Sequence, residues 1–323
     1  MAIAGEWKIP QQVQPRPKDY DYDLAQTLAA VVGLHVTVPS DAFTAETLGT
    51  ERAGHGVLID DGLVLTIGYL ITEAETVWLH LADGHVAQGH ALGFDGETGF
   101  GLVQALTKVP QAPLTLGSSA ILTAGDPVVI AGAGGVARSV AAEVAARQEF
   151  AGYWEYLLDD AIFTAPAHPN WGGTALIGPD GKLCGIGSLQ LEGGRDSAHD
   201  HLNMMVPIDL LPPILPSLTR MGRVDKPVRP WLGIYSTEAE DKVVLVGLAP
   251  NGPAARAQLR SGDEIVAVAG TPVSSLAELY RALWSLGEAG VEVPLTVHRD
   301  DVTFDVRVNS SDRAKFLKRP RLH

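Results

Sequence analysis

Short apolar runs separated by turn residues recur through the first two thirds of the chain. They follow one another at a spacing of roughly ten residues, and each is bounded by Gly, Pro, Asp or Ser. The runs are Gly56–Ile59, Leu63–Thr66, Thr76–Leu81, His85–Leu92, Phe100–Leu106, Pro127–Ala131, Val140–Ala145, Tyr156–Thr164, Leu183–Gly187 and Met204–Val206. Many short strands at this spacing predict a mainly β domain, either a barrel or a sandwich.

The last third of the chain has a different pattern. A polar, proline-containing stretch, SLTRMGRVDKPVRP, interrupts the series at 217–230 and predicts a linker. Beyond it, strand patterns at Lys242–Pro250, Asp263–Val268 and Val291–Val308 alternate with helical ones. We therefore predict a smaller second domain of the α+β class.

One amphipathic helix is predicted in this second domain, from Ser275 to Leu286. Ser275 suits its first turn, and Gly287 suits its end. Helical spacing places four residues on one face, namely Leu276, Leu279, Tyr280 and Leu283. Such a face packs against a core or lines a groove.

Composition narrows the function classes. The chain of 323 residues has a net charge of −14, which disfavours nucleic acids and anionic membranes as partners. No apolar stretch is long enough for a membrane span, and no signal peptide is visible at the N-terminus. The expected location is cytoplasmic, or periplasmic if a signal peptide has been removed. The single cysteine, Cys184, lies in an apolar run and is expected to be buried.

Several other motifs carry weaker hypotheses. Gly132–Ala137 fits the dinucleotide-binding pattern G-x-G-x-x-A, but no second parallel strand ending in an acid follows it. The histidines at 80, 85 and 90 and the polar loop EGGRDSAHDH (192–201) offer no convincing metal spacing. We expect no cofactor and no metal. An unrelated hydrolase using Asp95, Glu97 or His168 remains an alternative.

The C-terminal segment resembles a PDZ domain. The resemblance is carried by Arg229–Ile234 (RPWLGI) and by Ala249–Leu279 (APNGPAARAQLRSGDEIVAVAGTPVSSLAEL). It implies that a loop of backbone amides receives a peptide's C-terminal carboxylate and that the peptide adds to the sheet as a strand. The peptide-binding residues implied by the loop and the helix are Trp231, Leu232, Gly233, Ile234, Leu276, Leu279 and Tyr280. Leu283 belongs more naturally to the core.

Together with the PDZ segment, the first part of the chain resembles the HtrA family, in which a trypsin-like double β-barrel precedes PDZ. Gly62–Ile71 (GLVLTIGYLI) is similar to the family's catalytic histidine motif, with Tyr69 at the histidine position. Gly93–Leu102 (GFDGETGFGL) is similar to the aspartate motif, with Gly99 at the aspartate position.

The nucleophile motif resembles His168–Leu176 (HPNWGGTAL), and two alignments are possible. Alignment without gaps to Asp180-Gly181 puts Gly172 at the serine position, whereas matching the Gly-Gly pair puts Trp171 there. The family's chemistry needs a hydroxyl, a base and an orienting carboxylate. Tyrosine is a poor base at neutral pH and glycine supplies no group.

These departures predict a chain that is not an enzyme but a pseudoprotease, which binds protein C-termini or peptides as a scaffold or regulatory subunit. Two alternatives stay open: a serine-type endopeptidase with displaced catalytic residues, and a purely structural subunit of a larger complex, with its PDZ groove closed by its own tail. The expected domains are 1–222 (trypsin-like, with an N-terminal arm), 229–310 (PDZ) and 311–323 (basic tail). The resemblance also implies a homotrimer, with Tyr20 and Tyr22 as contact candidates.

Overall fold

The computed structural model describes residues 9–193 and 200–318. Two compact units divide the described chain. The first contains residues up to 148, 160–225 and the end of the described chain; the second contains Glu149–Asp159 and Lys226–Leu317. The segment 149–159 thus comes from the middle of the first sequence region and folds with the second unit.

The first unit begins with a six-stranded closed barrel whose order is β1-β2-β3-β6-β5-β4. Its neighbouring strands are antiparallel, and its strands are short, as the turn spacing predicts. They are β1 (Val31–Thr37), β2 (Glu51–Asp60), β3 (Leu63–Ile67), β4 (Thr76–His80), β5 (Val86–Phe94) and β6 (Phe100–Ala105). Three short helices accompany them, namely α1 (Leu24–Ala29), α2 (Ala45–Leu48) and α3 (Gly68–Ile71).

A second closed barrel follows, with the order β10-β11-β12-β9-β8-β7. Its strands are β7 (Pro127–Ala131), β8 (Ser139–Gly152), β9 (Tyr156–Ala165), β10 (Ala175–Ile177), β11 (Leu183–Glu192) and β12 (His201–Pro207). Helix α4 (Leu215–Met221) follows the barrel. Cys184 is buried in the hydrophobic core of this second barrel, in the same cluster as Ile130, Leu176 and Met205. The apolar sequence around Cys184 predicts this burial.

The N-terminal arm forms short helical turns and packs against the second barrel. Ile9 is buried in the core of the second barrel, and its backbone N–H donates to Ala137 O at 3.1 Å. Single turns of 3-10 helix form at Gln11–Val13 and Pro17–Asp19. Residues 1–8 lie outside the described residues.

The second unit holds a twisted sheet of order β13-β14-β15-β17-β18, with β16 paired to β15. The strands are β13 (Ile234–Ala239), β14 (Lys242–Leu248), β15 (Glu264–Val268), β16 (Thr271–Pro272), β17 (Glu292–Arg299) and β18 (Val302–Asn309). Two helices cover the sheet, α5 (Pro253–Arg256) and α6 (Leu276–Ser285). Ser275 caps α6 by accepting from Glu278 N, which explains why the helix begins there.

Candidate functional site

The three residues predicted at the triad positions of the barrel unit, Tyr69, Gly99 and Gly172, lie close together. Tyr69 is on α3, directly after β3, and its hydroxyl donates to Ser188 O at 2.9 Å. A Cβ placed on Gly172 would lie 2.7 Å from the Tyr69 hydroxyl oxygen, so these two positions face each other. Gly99 joins them through its carbonyl, which accepts from Gly68 N at 2.6 Å.

Both candidate residues of the nucleophile motif adjoin Tyr69. The Cα of Gly172 faces Tyr69, and its carbonyl accepts from His55 N at 2.8 Å, which ties the two barrels together. Trp171 shares a side-chain hydrogen bond with Tyr69, and its own carbonyl accepts from the Thr174 hydroxyl at 2.9 Å. The two alignments therefore both stay predictions.

The electrostatics of this site favour neutral groups. Burial raises the pKa of the Tyr69 phenol well above its ordinary value, against the opposing effect of the hydrogen bond with Trp171. The phenol is therefore a hydrogen-bond donor at neutral pH and not a proton acceptor. At these three positions, the side chains provide neither an imidazole nor a carboxylate.

Two buried histidines border this site. The rings of His55 and His168 meet edge to face, with their centroids 5.8 Å apart. His55 Nδ1 accepts from Ala133 N at 3.1 Å, which assigns its ring proton to Nε2. Burial lowers the pKa of His55 to about 3 and also lowers that of His168. Both rings are neutral at pH 7.

His168 is held by its own loop. Its Nδ1 accepts from Asn170 N at 3.2 Å, and its Nε2 lies 2.9 Å from Arg138 O. Both ring nitrogens are thus used in holding the backbone. Asp95 accepts from Thr98 N and shapes the turn before Gly99, so it also has a local structural role.

The dinucleotide-like loop is a hairpin connection. β7 and β8 are antiparallel neighbours, and Gly134 and Gly135 both take positive φ in the turn between them. A dinucleotide site of the expected type needs a parallel strand–helix–strand unit. Among the described residues, no group of His, Cys, Asp or Glu is placed to hold a metal. Part of the EGGRDSAHDH loop, including His199, lies outside them.

The second unit contains a carboxylate-binding loop at the start of β13. Three consecutive backbone amides converge on one carboxylate: Leu232 N (3.0 Å), Gly233 N (2.7 Å) and Ile234 N (3.0 Å). Gly233 has φ +75°, and a Cβ there would lie 3.0 Å from both the Ala249 side chain and the Trp231 ring. The loop needs glycine here because the backbone turns tightly around the anion.

The carboxylate in this loop belongs to the chain itself. It is the side chain of Glu155, in the Tyr153-Trp154-Glu155 turn between β8 and β9. Burial raises the pKa of Glu155 to about 7, opposed by the three amides and by the nearby Arg313 guanidinium. Neither Glu155 nor His55 is predicted by the motifs. The turn has no glycine, and its third residue, Glu155, takes φ +59° in the structure.

The helix residues predicted to line the groove have different roles. The Tyr280 hydroxyl donates to Gly152 O at 2.7 Å and accepts from Glu155 N at 3.2 Å, so it contacts the turn directly. Leu276, Leu279 and Leu283 are buried in the hydrophobic core of the unit. Trp231 packs on Phe316, with ring centroids 4.9 Å apart, and supports the loop from behind.

Family models match both units of the chain. A trypsin-like peptidase domain matches residues 54–186, which include Tyr69, Gly99 and Gly172. A PDZ domain matches residues 230–309, which include the carboxylate-binding loop and α6. The predicted fold class, a mainly β trypsin-like domain followed by a PDZ domain, is confirmed.

The chain is similar to several proteins that are named proteases. The chain is 26% identical over 321 residues to "Serine endoprotease DegS" of Salmonella typhimurium, covering 90% of this chain and 86% of the relative. It is 25% identical to "Periplasmic pH-dependent serine endoprotease DegQ" of Escherichia coli, covering 83% and 62%. The solved structure "HtrA-type protease AlgW with decapeptide" shares the fold, with a TM-score of 0.53 and 20% identity over 92% of this chain and 98% of that one.

These findings support the resemblance to the HtrA family of trypsin-like proteases with one PDZ domain. They also correct one prediction. The expectation that the chain is not an enzyme is contradicted, because its relatives are named serine endoproteases. Among the described residues, no helix is long and apolar enough to cross a membrane.

Proposed function

We propose that this chain is an HtrA-type endopeptidase that recognises peptides by a carboxylate, through the loop at Leu232–Ile234. This proposal rests on the convergence of three backbone amides on one carboxylate. Amides fixed in this geometry solvate a carboxylate at little entropic cost, because the loop is already ordered. A peptide with a free C-terminus supplies the same group and can also pair with β13 as an added strand.

One backbone hydrogen bond of the kind that an added peptide strand would form with β13 already exists within the unit. Ser236 N, on β13, donates to Tyr153 O at 2.9 Å, in the turn that supplies the carboxylate. An incoming peptide would use the same donor. Affinity for a short peptide is expected to be on the order of micromolar, because little area is buried and the peptide is ordered on binding.

Peptide binding is tested by isothermal titration of the full chain with a peptide ending in a free valine and with its C-terminal amide. We expect the free peptide to bind about tenfold or more tightly than the amide, because the amide removes the charge that the loop solvates. Equal binding of the two peptides, or none of either, would refute carboxylate recognition.

The endopeptidase activity is proposed from the named relatives and the shared barrel fold. Since Tyr69, Gly99 and Gly172 occupy the triad positions, the nucleophile would be displaced. Thr174 and Ser188 are the nearest hydroxyl side chains of the following segment, and Ser188 O already contacts Tyr69. Without an imidazole base at Tyr69, the reaction would be slower than that of a complete triad by several orders of magnitude.

A fluorophosphonate probe tests this activity, with the labelled residue mapped by mass spectrometry. We expect slow labelling at Thr174 or Ser188, and loss of both labelling and casein cleavage in Thr174→Val or Ser188→Ala. Highly purified chain that neither labels nor cleaves would refute the endopeptidase proposal and leave the peptide-binding proposal standing.

We also propose a homotrimer in which Tyr20 is a contact residue. Tyr22 packs against the chain's own turn, since a Cβ on Gly181 would lie 2.6 Å from its ring. Tyr20 contacts Tyr22 with tilted rings, whose centroids are 5.3 Å apart, and both side chains are half-buried. Sedimentation equilibrium should give three times the chain mass for the wild type and a smaller mass for Tyr20→Ala. A monomeric wild type would refute the proposal.

A further inference from the structure

The β8–β9 turn occupies the carboxylate-binding loop in the way a ligand would. It places a carboxylate on three amides, a backbone carbonyl on Ser236 N, and a second carbonyl on the Tyr280 hydroxyl. These contacts reach both walls of the groove, β13 on one side and α6 on the other. We propose that Glu155 is an internal ligand of the PDZ groove and that an incoming peptide carboxylate binds by displacing it. This inference rests on the proposed peptide binding.

The backbone of the turn supports this role. Glu155 has φ +59°, in the left-handed region that a three-residue hairpin loop usually fills with glycine. A non-glycine residue held there points to a constraint from its surroundings. The hydrogen bonds of Glu155 supply that constraint. Its carboxylate accepts from Leu232 N, Gly233 N and Ile234 N, and its backbone N–H donates to the Tyr280 hydroxyl.

A second glutamate of the same unit serves as a comparison. Glu240 also has a positive φ, +51°, in the turn between β13 and β14. It is exposed to solvent. The two residues share the residue type and the backbone region, and they differ in whether the carboxylate enters the loop.

The ion pairs beside the β8–β9 turn are exposed, and they hold the turn only weakly in the groove. Arg281 on α6 pairs with Glu149 on β8 and with Asp159 on β9, and these ion pairs are largely exposed. Exposed ion pairs contribute little to stability. Ala151 and Leu157 pack only at the margin of the hydrophobic core of the unit. Release of the turn would also break the contact of Tyr153 with Tyr235 on β13, whose ring centroids are 6.0 Å apart, but it would leave the core side chains of the unit packed on one another.

Occupation by an internal ligand weakens binding of an external one. The apparent dissociation constant rises in inverse proportion to the fraction of molecules with an empty loop. A tethered ligand competes at an effective concentration on the order of millimolar. A turn that fills the loop in nine molecules of ten weakens an incoming peptide about tenfold.

The test compares two glutamate-to-glycine variants of the full chain by fluorescence anisotropy. The probe is a short fluorescein-labelled peptide ending in a free valine. Glu155→Gly should bind it about tenfold or more tightly than the wild type, and Glu240→Gly should bind it like the wild type. Glycine suits the positive φ at both positions, so both variants are expected to fold. Glu155→Gln provides a second variant that keeps the side-chain size and removes the charge.

Amide resonances provide a readout that needs no peptide. In NMR spectra of the full chain, the Leu232, Gly233 and Ile234 amide protons should move in Glu155→Gly and stay in place in Glu240→Gly. Tighter binding and moved resonances together support the inference. Equal peptide affinity of Glu155→Gly and wild type overturns it and leaves the proposed peptide binding intact.

A third outcome separates the two proposals in the other direction. If no variant binds the peptide, carboxylate recognition of external peptides fails, and displacement of Glu155 fails with it. Moved resonances would in that case identify the turn as a permanent structural insert. Unmoved resonances would show that the Glu155 contact itself is absent in solution.

Discussion

The two candidate sites of this chain are both filled by the chain's own side chains, but from different sources. In the barrel unit, the Tyr69 hydroxyl faces Gly172 and is bonded to Ser188 O, so residues at the motif positions themselves determine the site. In the second unit, the motif positions form a complete carboxylate-binding loop, and a residue from elsewhere in the sequence fills it. The first site is lined by residues of its own motifs, whereas the second is formed by its motif and occupied by Glu155.

The Tyr69 phenol is a permanent feature of its site, whereas occupation of the carboxylate-binding loop by Glu155 can be reversible. A phenol at position 69 changes the chemistry of its site whatever the conditions. A carboxylate held by hydrogen bonds competes with other carboxylates and responds to pH. The two sites should therefore respond differently to mutation, and the following predictions begin with the largest effect.

The barrel site should tolerate added volume less well than the carboxylate-binding loop. A Cβ on Gly173 would lie 1.8 Å from His55 O, a rigid backbone atom, so Gly173→Ala should lower the free energy of unfolding by about 3 kcal/mol or more. A Cβ on Gly233 meets only side chains, at 3.0 Å, so Gly233→Ala should cost less. Urea unfolding measures both.

Gly125→Ala is the control for the backbone conformation alone. Gly125 has φ +92° with open space around its Cα, so the substitution should cost about 1 kcal/mol. Equal costs for Gly173→Ala and Gly125→Ala would contradict the close approach of the His55 carbonyl.

The occupied groove should respond to pH through Glu155. Its pKa is raised from 4.5 to about 7 in the docked turn, so the docked form binds the proton more tightly than the released form. Docking is accordingly strongest below about pH 4.5 and is lost as the pH rises through 7. A peptide carboxylate stays ionised across this range, so peptide affinity should rise about tenfold or more between pH 5 and 8.

The neighbouring groups do not obscure this titration. Tyr280 and Arg313 face the Glu155 carboxyl, and Glu238 lies on the far side of Tyr280. Burial raises the pKa of Tyr280 above its ordinary value, so its phenol stays protonated between pH 5 and 8. The Arg313 guanidinium keeps its charge over the same range. Anisotropy titrations at several pH values should give a flat profile for Glu155→Gly. An equally steep profile in that variant would assign the dependence to another group.

The Tyr69 hydroxyl should stabilise the barrel unit modestly. Ser188 lies where the register of β11 and β12 shifts, so its carbonyl depends on the phenol for a donor. Tyr69→Phe leaves that carbonyl without it and should lower the free energy of unfolding by about 1–2 kcal/mol, with peptide affinity unchanged. An unchanged midpoint in urea would show that water replaces the phenol.

The elements that local patterns specify could be predicted from the sequence. The ten short apolar runs correspond to ten of the twelve barrel strands, and β10 (Ala175–Ile177) is not among them. The RPWLGI and APNGPAARAQL motifs predicted the loop and helix of the second unit. The motifs that resemble those of the family's triad drew attention to Tyr69, Gly99 and Gly172, which lie close together in the fold, and their assignment to the triad positions stays a prediction. Each of these rests on a spacing within one segment of chain.

The occupant of the groove could not be predicted in the same way. Glu155 lies 77 residues from Leu232, and their contact depends on the length of the β8–β9 hairpin. The lengths of hairpins vary freely in a barrel, because their tips project into solvent. Leu276 and Leu279 show a related limit: helical spacing defines a buried face, but it does not distinguish a core from a groove wall.

The smallest predicted effect is that of removing the Tyr280 hydroxyl. The Tyr280 hydroxyl bonds both ends of the internal ligand, at Gly152 O and Glu155 N. Tyr280→Phe removes these bonds, so the turn should leave the loop more often and peptide affinity should rise about threefold. Tyr69→Phe is the matched control, since it removes the same atom from the other site. Anisotropy with the free-valine peptide measures both. A loss of affinity in Tyr280→Phe would mean that this hydroxyl serves the incoming peptide more than the turn, and α6 would then be a specificity element of the groove.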